Sequence, residues 1–210
     1  SLSGNINVTA INESYNGNGI GIIFEENGKL AAGRDANLIV ENGDLHITDD
    51  VTAGNNFNAQ TRKRGNIMMD ENIRVQHNIS MQTDVGNITV GRDIVAGNDV
   101  KMTVGDGKVT VGEVDGNGNG SGNITTAGNV GVLMHNGDVN VVKSVKSDGG
   151  SVDILTKKGN IKIGNNGPYD PTVEAKNDVK LETESGTIRV QGKTSAIKGS
   201  VTLRAASEDY

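Results

Sequence analysis

The sequence predicts an all-β fold, a right-handed parallel β-helix (solenoid) with about 21–22 residues per coil. Two series of apolar–x–apolar pairs recur in step, and from Ile79 to Val179 each second-series pair precedes a first-series pair by nine positions. The first series comprises Leu45/Ile47, Ile67/Met69, Ile88/Val90, Val109/Val111, Val139/Val141, Ile161/Ile163 and Ile188/Val190. The second comprises Leu38/Val40, Phe57/Ala59, Ile79/Met81, Val100/Met102, Val130/Val132, Val152/Ile154, Val179/Leu181 and Val201/Leu203.

The pairs themselves predict β-strands. Each alternates apolar and intervening residues, which is the period of a strand with one buried face. A third, weaker strand falls between the others, at Ile73/Val75, Asp93-Ile94-Val95, Ser144-Val145 and Val173. Three short strands and three turns in about 21 residues predict a triangular coil, in which each strand pairs with its equivalents above and below.

The inward positions of the stacked strands predict an aliphatic core arranged in columns. Burying each side chain stabilises the fold by about 1.5–3 kcal/mol. Asparagine or aspartate recurs just before the first series, at Asp44, Asn66, Asn87, Asp138 and Asn160, and stacked side chains of this type form hydrogen bonds along the axis. The predicted core residues are Ile67, Ile88, Val109, Val139, Ile161 and Ile188 in one column and Val100, Val130, Val152 and Val179 in another.

The repeat also predicts the domain organisation, a single β-helical rod segment over residues 1–210 with a less regular N-terminal part at 1–27. Both series lengthen one step to 30 residues and a later one to 27, as expected if loops are inserted into two coils. The turn-rich stretches at 112–122 and 164–172 account for the extra residues. The chain begins and ends inside its repeat, so we expect it to be a piece of a longer polypeptide.

Composition narrows the classes of function. The net charge is −6, and aromatic residues make up 2% of the chain. We therefore expect no nucleic-acid partner, because such proteins need a basic stripe and stacking platforms. With no cysteine, disulfides and Cys-based metal sites are excluded. We also expect no transmembrane segment, because no apolar run approaches about 18 residues.

Candidate catalytic residues are sparse. The nearest feature to an acidic column lies near the third strand, and we interpret it as a mixed-charge, solvated face. The outward positions of the two main series supply no pair of carboxylates, which glycosidic cleavage needs. The column comprises Glu71, Asp93, Glu113, Asp115 and Glu174, interleaved with Arg74, Arg92, Lys143 and Lys146.

One segment resembles part of a calcium loop. Asp115, Asn117 and Asn119 alternate with glycines as in the first half of an EF-hand, which makes them a weak Ca²⁺ candidate. The twelfth position is Thr126 instead of glutamate. No cofactor is predicted, and His46, His77 and His135 share no column that would predict a metal site.

Three units resemble the A-G-x-D-ϕ-x-ϕ repeats of filamentous haemagglutinins: Ala32-Gly33-Arg34-Asp35-Ala36-Asn37-Leu38, Val95-Ala96-Gly97-Asn98-Asp99-Val100 and Thr126-Ala127-Gly128-Asn129-Val130. The chain is thus similar to the repeat regions of large bacterial exoproteins, including leukotoxin-type filamentous adhesins, over most of residues 28–205. The resemblance implies two-partner secretion through an outer-membrane transporter and a rod on, or released from, a Gram-negative-type cell. It carries over no catalytic residue. The Asn-Pro-Asn type motif of the family's secretion domain has no counterpart, which favours an interior stalk segment.

The first hypothesis for function is a non-enzymatic structural and interaction segment of a secreted or cell-surface filamentous adhesin. Its partner would be a protein or glycan receptor on a host surface, contacted by the two loops and the exposed β-faces. The alternatives are a polysaccharide-acting β-helix enzyme, and the stalk of a secreted toxin or haemolysin whose activity lies outside these residues. A carboxylate cluster in a cleft would favour the enzyme.

Overall fold

The computed structural model describes residues 3–11, 21–25, 28–114, 120–165 and 170–206, and their regular elements are all β-strands. The strands form three parallel sheets of a right-handed parallel β-helix, which confirms the predicted fold. Sheet A contains Ile6–Ala10, Ala36–Val40, Phe57–Thr61, Ile79–Val85, Val100–Asp106, Val130–Asn136, Val152–Lys158, Val179–Ser185 and Val201–Ala205. Sheet B contains Ile22–Phe24, Leu45–Ile47, Ile67–Met69, Ile88–Val90, Val109–Val111, Val139–Val141, Ile161–Ile163 and Ile188–Val190. Sheet C contains Leu30–Ala32, Val51–Ala53, Ile73–Val75, Ile94–Ala96, Ile124–Thr126, Val145–Ser147, Thr172–Ala175 and Lys193–Ala196.

The core is one continuous cluster along the rod. Ile88 pairs in register with Ile67 below and Val109 above, and all three are fully buried. The other predicted core residues are buried too, except Ile188, which is partly buried. Its strand is the last described strand of sheet B, so no further described strand of that sheet covers it.

The structure corrects the register proposed for the start of the second series. Ala36 pairs with Phe57, and Leu38 with Ala59. The predicted alignment of Leu38 with Phe57 is therefore wrong by two residues. A shift of two preserves the alternation of inward and outward side chains, so the apolar pattern alone could not exclude it. Val40 instead stacks on Thr61, whose hydroxyl donates to the carbonyl oxygen of Gly65 at 3.0 Å.

Sheet C is more regular than predicted. Two of its strands are Ile94–Ala96 and Val145–Ser147. Asp93 and Ser144 were predicted to lie in these strands, but each is the residue just before one of them. The less regular N-terminal part contributes strand Ile22–Phe24, which pairs with Leu45–Ile47. Residues 1–2, 12–20 and 26–27 of that part lie outside the described residues.

A column of glycines makes the corner between sheets A and B. Gly65 and Gly86 have φ angles of 143° and 149°, which side chains rarely adopt. A Cβ atom on Gly86 would lie 2.1 Å from the carbonyl oxygen of Gly65, one coil below. Glycine is therefore required here by both backbone conformation and space.

Polar ladders precede all three sheets. In the predicted one, before sheet B, the backbone N–H of Asn66 donates to Asp44 Oδ1 at 2.7 Å, and that of Asn87 to Asn66 Oδ1 at 2.9 Å. The ladder before sheet A runs unbroken through the described coils, by way of Asn5, Asp35, Asn56, Asn78, Asp99, Asn129, Ser151, Asp178 and Ser200. A third ladder, before sheet C, runs through Asp50, Asn72, Asp93 and Asn123. Each ladder ties one coil to the next at a corner.

The inward and outward positions make a direct test of the core. Ile88→Asp places an unpaired carboxylate in a fully buried column and should lower the free energy of unfolding by more than about 4 kcal/mol. Thr89→Asp, on the outer face of the same strand, should cost less than about 1 kcal/mol. Urea denaturation of both variants measures the difference, and equal losses would contradict the assignment.

Candidate functional site

Both loop insertions leave the rod at the same corner, between sheets B and C. The first lies between Val109–Val111 and Ile124–Thr126, and the second between Ile161–Ile163 and Thr172–Ala175. One coil lies between them, so they are two strand spacings apart, about 10 Å along the axis. We call the described residues 112–114, 120–122, 164–165 and 170–171 the loop corner.

The two insertions also meet at their bases. A Cβ atom on Gly120 would lie 3.5 Å from Asn165 Nδ2, so the end of the first loop reaches the start of the second. Strand Thr172–Ala175 already begins at Thr172, which shortens the second loop at its far end. The rod therefore presents two neighbouring loops on one side, and sequence spacing alone did not place them together.

A narrow neck joins the first loop to the rod. Val114 and Gly120 form an antiparallel bridge, and the Ser121 N–H donates to the Glu113 carbonyl at 3.0 Å. Gly112 and Gly122 have φ angles of 94° and 113°, and a Cβ on Gly112 would lie 2.5 Å from Gly122 Cα. The chain leaves and returns at one point, so the stacking of the coils continues past the loop.

A polar depression lies at this neck, lined by Asp70, Glu71, Gly91, Arg92, Glu113, Val114, Gly120 and Ser121. His46 Nε2 lies 2.9 Å from Asp70 Oδ2, and Arg92 Nε lies 2.5 Å from Glu71 Oε2. These pairs engage two of the three carboxylates. The depression can exchange hydrogen bonds with a polar ligand, and the described residues contain no group of three or more acidic or histidine side chains able to hold a metal ion.

The described carboxylates of the predicted acidic column do not all come together. Glu71 and Glu174 belong to coils four strand spacings apart in sheet C, about 19 Å. Glu174 pairs in register with Lys146. Asp93 accepts hydrogen bonds in a ladder, so it serves the fold. Among the described carboxylates of that column, Glu71 and Glu113 share the depression.

Asp93 holds the first loop's return to the rod. Its Oδ1 accepts from the backbone N–H groups of Gly122 at 2.9 Å and Asn123 at 2.8 Å, and from Asn123 Nδ2 at 3.1 Å. Partial burial raises the pKa of the Asp93 carboxyl, but the hydrogen bonds from Asn123 and Gly122 outweigh burial, and the pKa lies below its usual value. The carboxylate is thus the form that the fold prefers.

The weak calcium candidate, Asp115, Asn117 and Asn119, lies outside the described residues. The twelfth position of that motif can be placed, because Thr126 is the last residue of strand Ile124–Thr126 and is buried in the core. Its side chain therefore points into the core and cannot serve as the twelfth ligand of a calcium loop.

Sequence reasoning missed a second feature, on the outer face of sheet A. Gly131 leaves an open depression, with Lys101 one coil below and Asp153 one coil above in the same outward column. Leu133 and Leu155 lie beside it, and Leu133 is 45% exposed. The available signal was a glycine at an outward strand position, followed two residues later by an outward leucine.

Comparison with known proteins leaves the fold and these surfaces as the basis for function. No protein-family model, curated protein or solved structure matches the chain. None of the described residues belongs to a helix long and apolar enough to cross a lipid bilayer.

The position of Asp93 predicts how stability varies with pH. Its pKa in the folded chain lies below the ordinary value of 3.8, so its contribution is present above that value and is lost as the pH falls through the folded pKa. Asp93→Asn keeps the acceptor oxygen but removes the titration. Urea midpoints between about pH 5 and pH 2 should fall less steeply for this variant than for the parent. Asp84→Asn, in an exposed position outside the ladders, is the control, and an identical slope for Asp93→Asn would contradict the prediction.

The neck geometry predicts that the first loop is dispensable for folding. Replacing residues 113–121 by Gly-Asn should preserve the β-sheet circular dichroism and shift the melting temperature by less than about 5 °C, because the core and ladders remain. Deleting strand Ile124–Thr126 from the same coil is the matched control and should abolish cooperative melting.

Adding Ca²⁺ to the parent should leave its melting temperature unchanged, and a clear rise would establish a calcium site in the loop.

Proposed function

We propose that this chain is a structural and interaction segment, a stalk, of a secreted or cell-surface filamentous adhesin. In this role the rod holds binding determinants away from the cell and carries no catalytic activity of its own. The partner is a protein or glycan receptor on a host surface, and an outer-membrane transporter exports the full-length protein.

The observation that carries the proposal is the loop corner. Two insertions emerge side by side from a rod whose core and ladder before sheet A continue without a break across both coils. Binding residues commonly lie on loops held by a rigid scaffold. A stalk needs both properties, a stiff repeat and a few places where the repeat is interrupted.

The proposed kinship with filamentous haemagglutinin repeats gains a physical basis from the roles of the motif's residues. Ala96 is the last inward residue of its strand in sheet C, and Gly97 follows where a Cβ would lie 1.9 Å from the Gln76 carbonyl oxygen. Asp99 accepts the backbone N–H of Asn129 in the ladder before sheet A at 2.7 Å. The A-G-x-D-ϕ pattern thus corresponds to one corner of a coil, which suits a family of rods built from that unit.

The enzyme alternative is weaker because, of the three carboxylates that line the depression at the neck, Asp70 is paired with His46 and Glu71 with Arg92. Cleavage of a glycosidic bond needs two carboxyl groups about 5–10 Å apart across the bond. Glu71 and Glu174 are about 19 Å apart along the axis, and Asp93 is held by three hydrogen bonds in its ladder. The toxin-stalk alternative concerns activity outside these residues, and it leaves the role of the rod unchanged.

A binding screen combined with a turnover assay tests the proposal. The purified chain, displayed in many copies on beads, should bind host cells or a glycan array more strongly than it does as a monomer, because linked weak contacts multiply. Exchanging residues 113–121 for Gly-Asn should reduce binding at least about tenfold, and Thr89→Asp, on sheet B outside the loop corner, should leave binding unchanged. Pectate and hyaluronate should yield no reducing ends or unsaturated products. Turnover that disappears with Glu71→Gln, Asp93→Asn or Glu174→Gln would replace the adhesin with the enzyme.

A further inference from the structure

The outer face of sheet A carries an apolar spot between two opposite charges. Leu133 and Leu155 are neighbours in one outward column, and Gly131 leaves a gap beside them. In the column of Gly131, Lys101 lies one coil toward the N-terminal end and Asp153 one coil toward the C-terminal end. The two charges are therefore about 10 Å apart, on opposite sides of the gap.

This arrangement is centred on strand Val130–Asn136, which is also the middle of the widest part of the sheet. Sheet A has five consecutive strands of seven residues, and two of them lie on each side of Val130–Asn136. The flanking strands of the sheet have five residues. The Lys101–Asp153 pair and the five long strands of sheet A are therefore both centred on strand Val130–Asn136.

We propose that this face docks a second copy of the chain, with the two rods antiparallel and a two-fold axis along strand Val130–Asn136. The axis exchanges the coils on either side of that strand. Lys101 then faces Asp153 of the partner subunit, and Asp153 faces Lys101 of the partner subunit. A contact of this isologous kind forms every favourable pair twice.

The apolar residues match under the same operation. Leu133 meets Leu133 of the partner subunit on the axis, and Leu155 meets Thr103 of the partner subunit. One coil further out, Lys180 and Glu182 face Ser80 and Gln82 of the partner subunit, which carry no charge. His135 meets its own copy at one edge, and Glu184 faces Asp84 of the partner subunit there, at exposed positions where like charges are screened.

The available area suits a specific dimer. Five strands of seven residues and the two flanking five-residue strands, Phe57–Thr61 and Val201–Ala205, span a face of about 700 Å² from the standard strand spacing and rise. Stable interfaces bury about 800 Å² per partner. An apolar centre with a charged rim is also the usual anatomy of such interfaces.

Charge reversal tests the proposal with the chain as it is. Sedimentation velocity across a concentration series should show a reversible dimer of the parent. Lys101→Asp should raise the dimer dissociation constant at least about tenfold, because it places two like-charged pairs across the two-fold interface. Asp153→Lys should do the same. The double variant restores both pairs with the signs exchanged, so its dissociation constant should return to within about threefold of the parent's. Leu133→Asp should abolish the dimer.

The control is Lys162→Asp, which makes the same charge change at an exposed position of sheet B and should leave the dimer intact. A parent that stays monomeric at about 100 μM would overturn the proposal. Association that persists in Leu133→Asp would also overturn it, because the rods would then be meeting through another surface. So would a double variant as weak as either single one.

Discussion

The whole structure depends on hydrogen bonding between a strand and its equivalents one coil below and above. The backbone N–H of Ile88 donates to the Lys108 carbonyl, that of Ile67 to the Asn87 carbonyl, and so on along each sheet. A parallel sheet satisfies its polar groups only if successive strands keep the same register. Each coil must therefore have the same path as its neighbours, and any extra residue has to leave the stack at a corner.

The ladders and the glycine columns follow from this constraint. At a corner the chain changes direction, and the N–H just before each strand needs an acceptor; a short amide, carboxylate or hydroxyl side chain from the coil below supplies it. Lys108 interrupts this pattern. Its N–H donates to Asn87 Oδ1 at 2.9 Å, but its ammonium side chain cannot accept a hydrogen bond from the next coil. The ladder before sheet B stops there and starts again at Asp138, whose Oδ1 accepts from the Asn160 N–H at 2.8 Å.

The same constraint decides what the sequence could predict. The fold and the columns of sheets A and B were predictable, because large aliphatic residues recur at constant spacing. Sheet C was harder, because its inward positions include small or polar residues such as Ala53, Thr126 and Ser147. The loop corner could be recognised only after Ile124–Thr126 was placed in sheet C, which put both insertions between the same two sheets. The gap at Gly131 could not be predicted, because in a chain with 30 glycines a glycine is first interpreted as part of a turn.

A stack of this kind separates stability from recognition. Inward, ladder and corner-glycine positions each contact their own equivalents in two coils, so one substitution disturbs several layers at once. Outward positions contact other surface side chains, as Lys180 does Glu182, but not the core. A loop with a neck like that of Gly112 and Gly122 contacts the rod at its base. Sequence change without loss of fold is therefore confined to the outer columns and the loop corner. Glu113 at the loop corner, and Lys101 and Asp153 on sheet A, lie in those permissive places. Because the fold does not require these side chains, their chemistry is free to serve a partner.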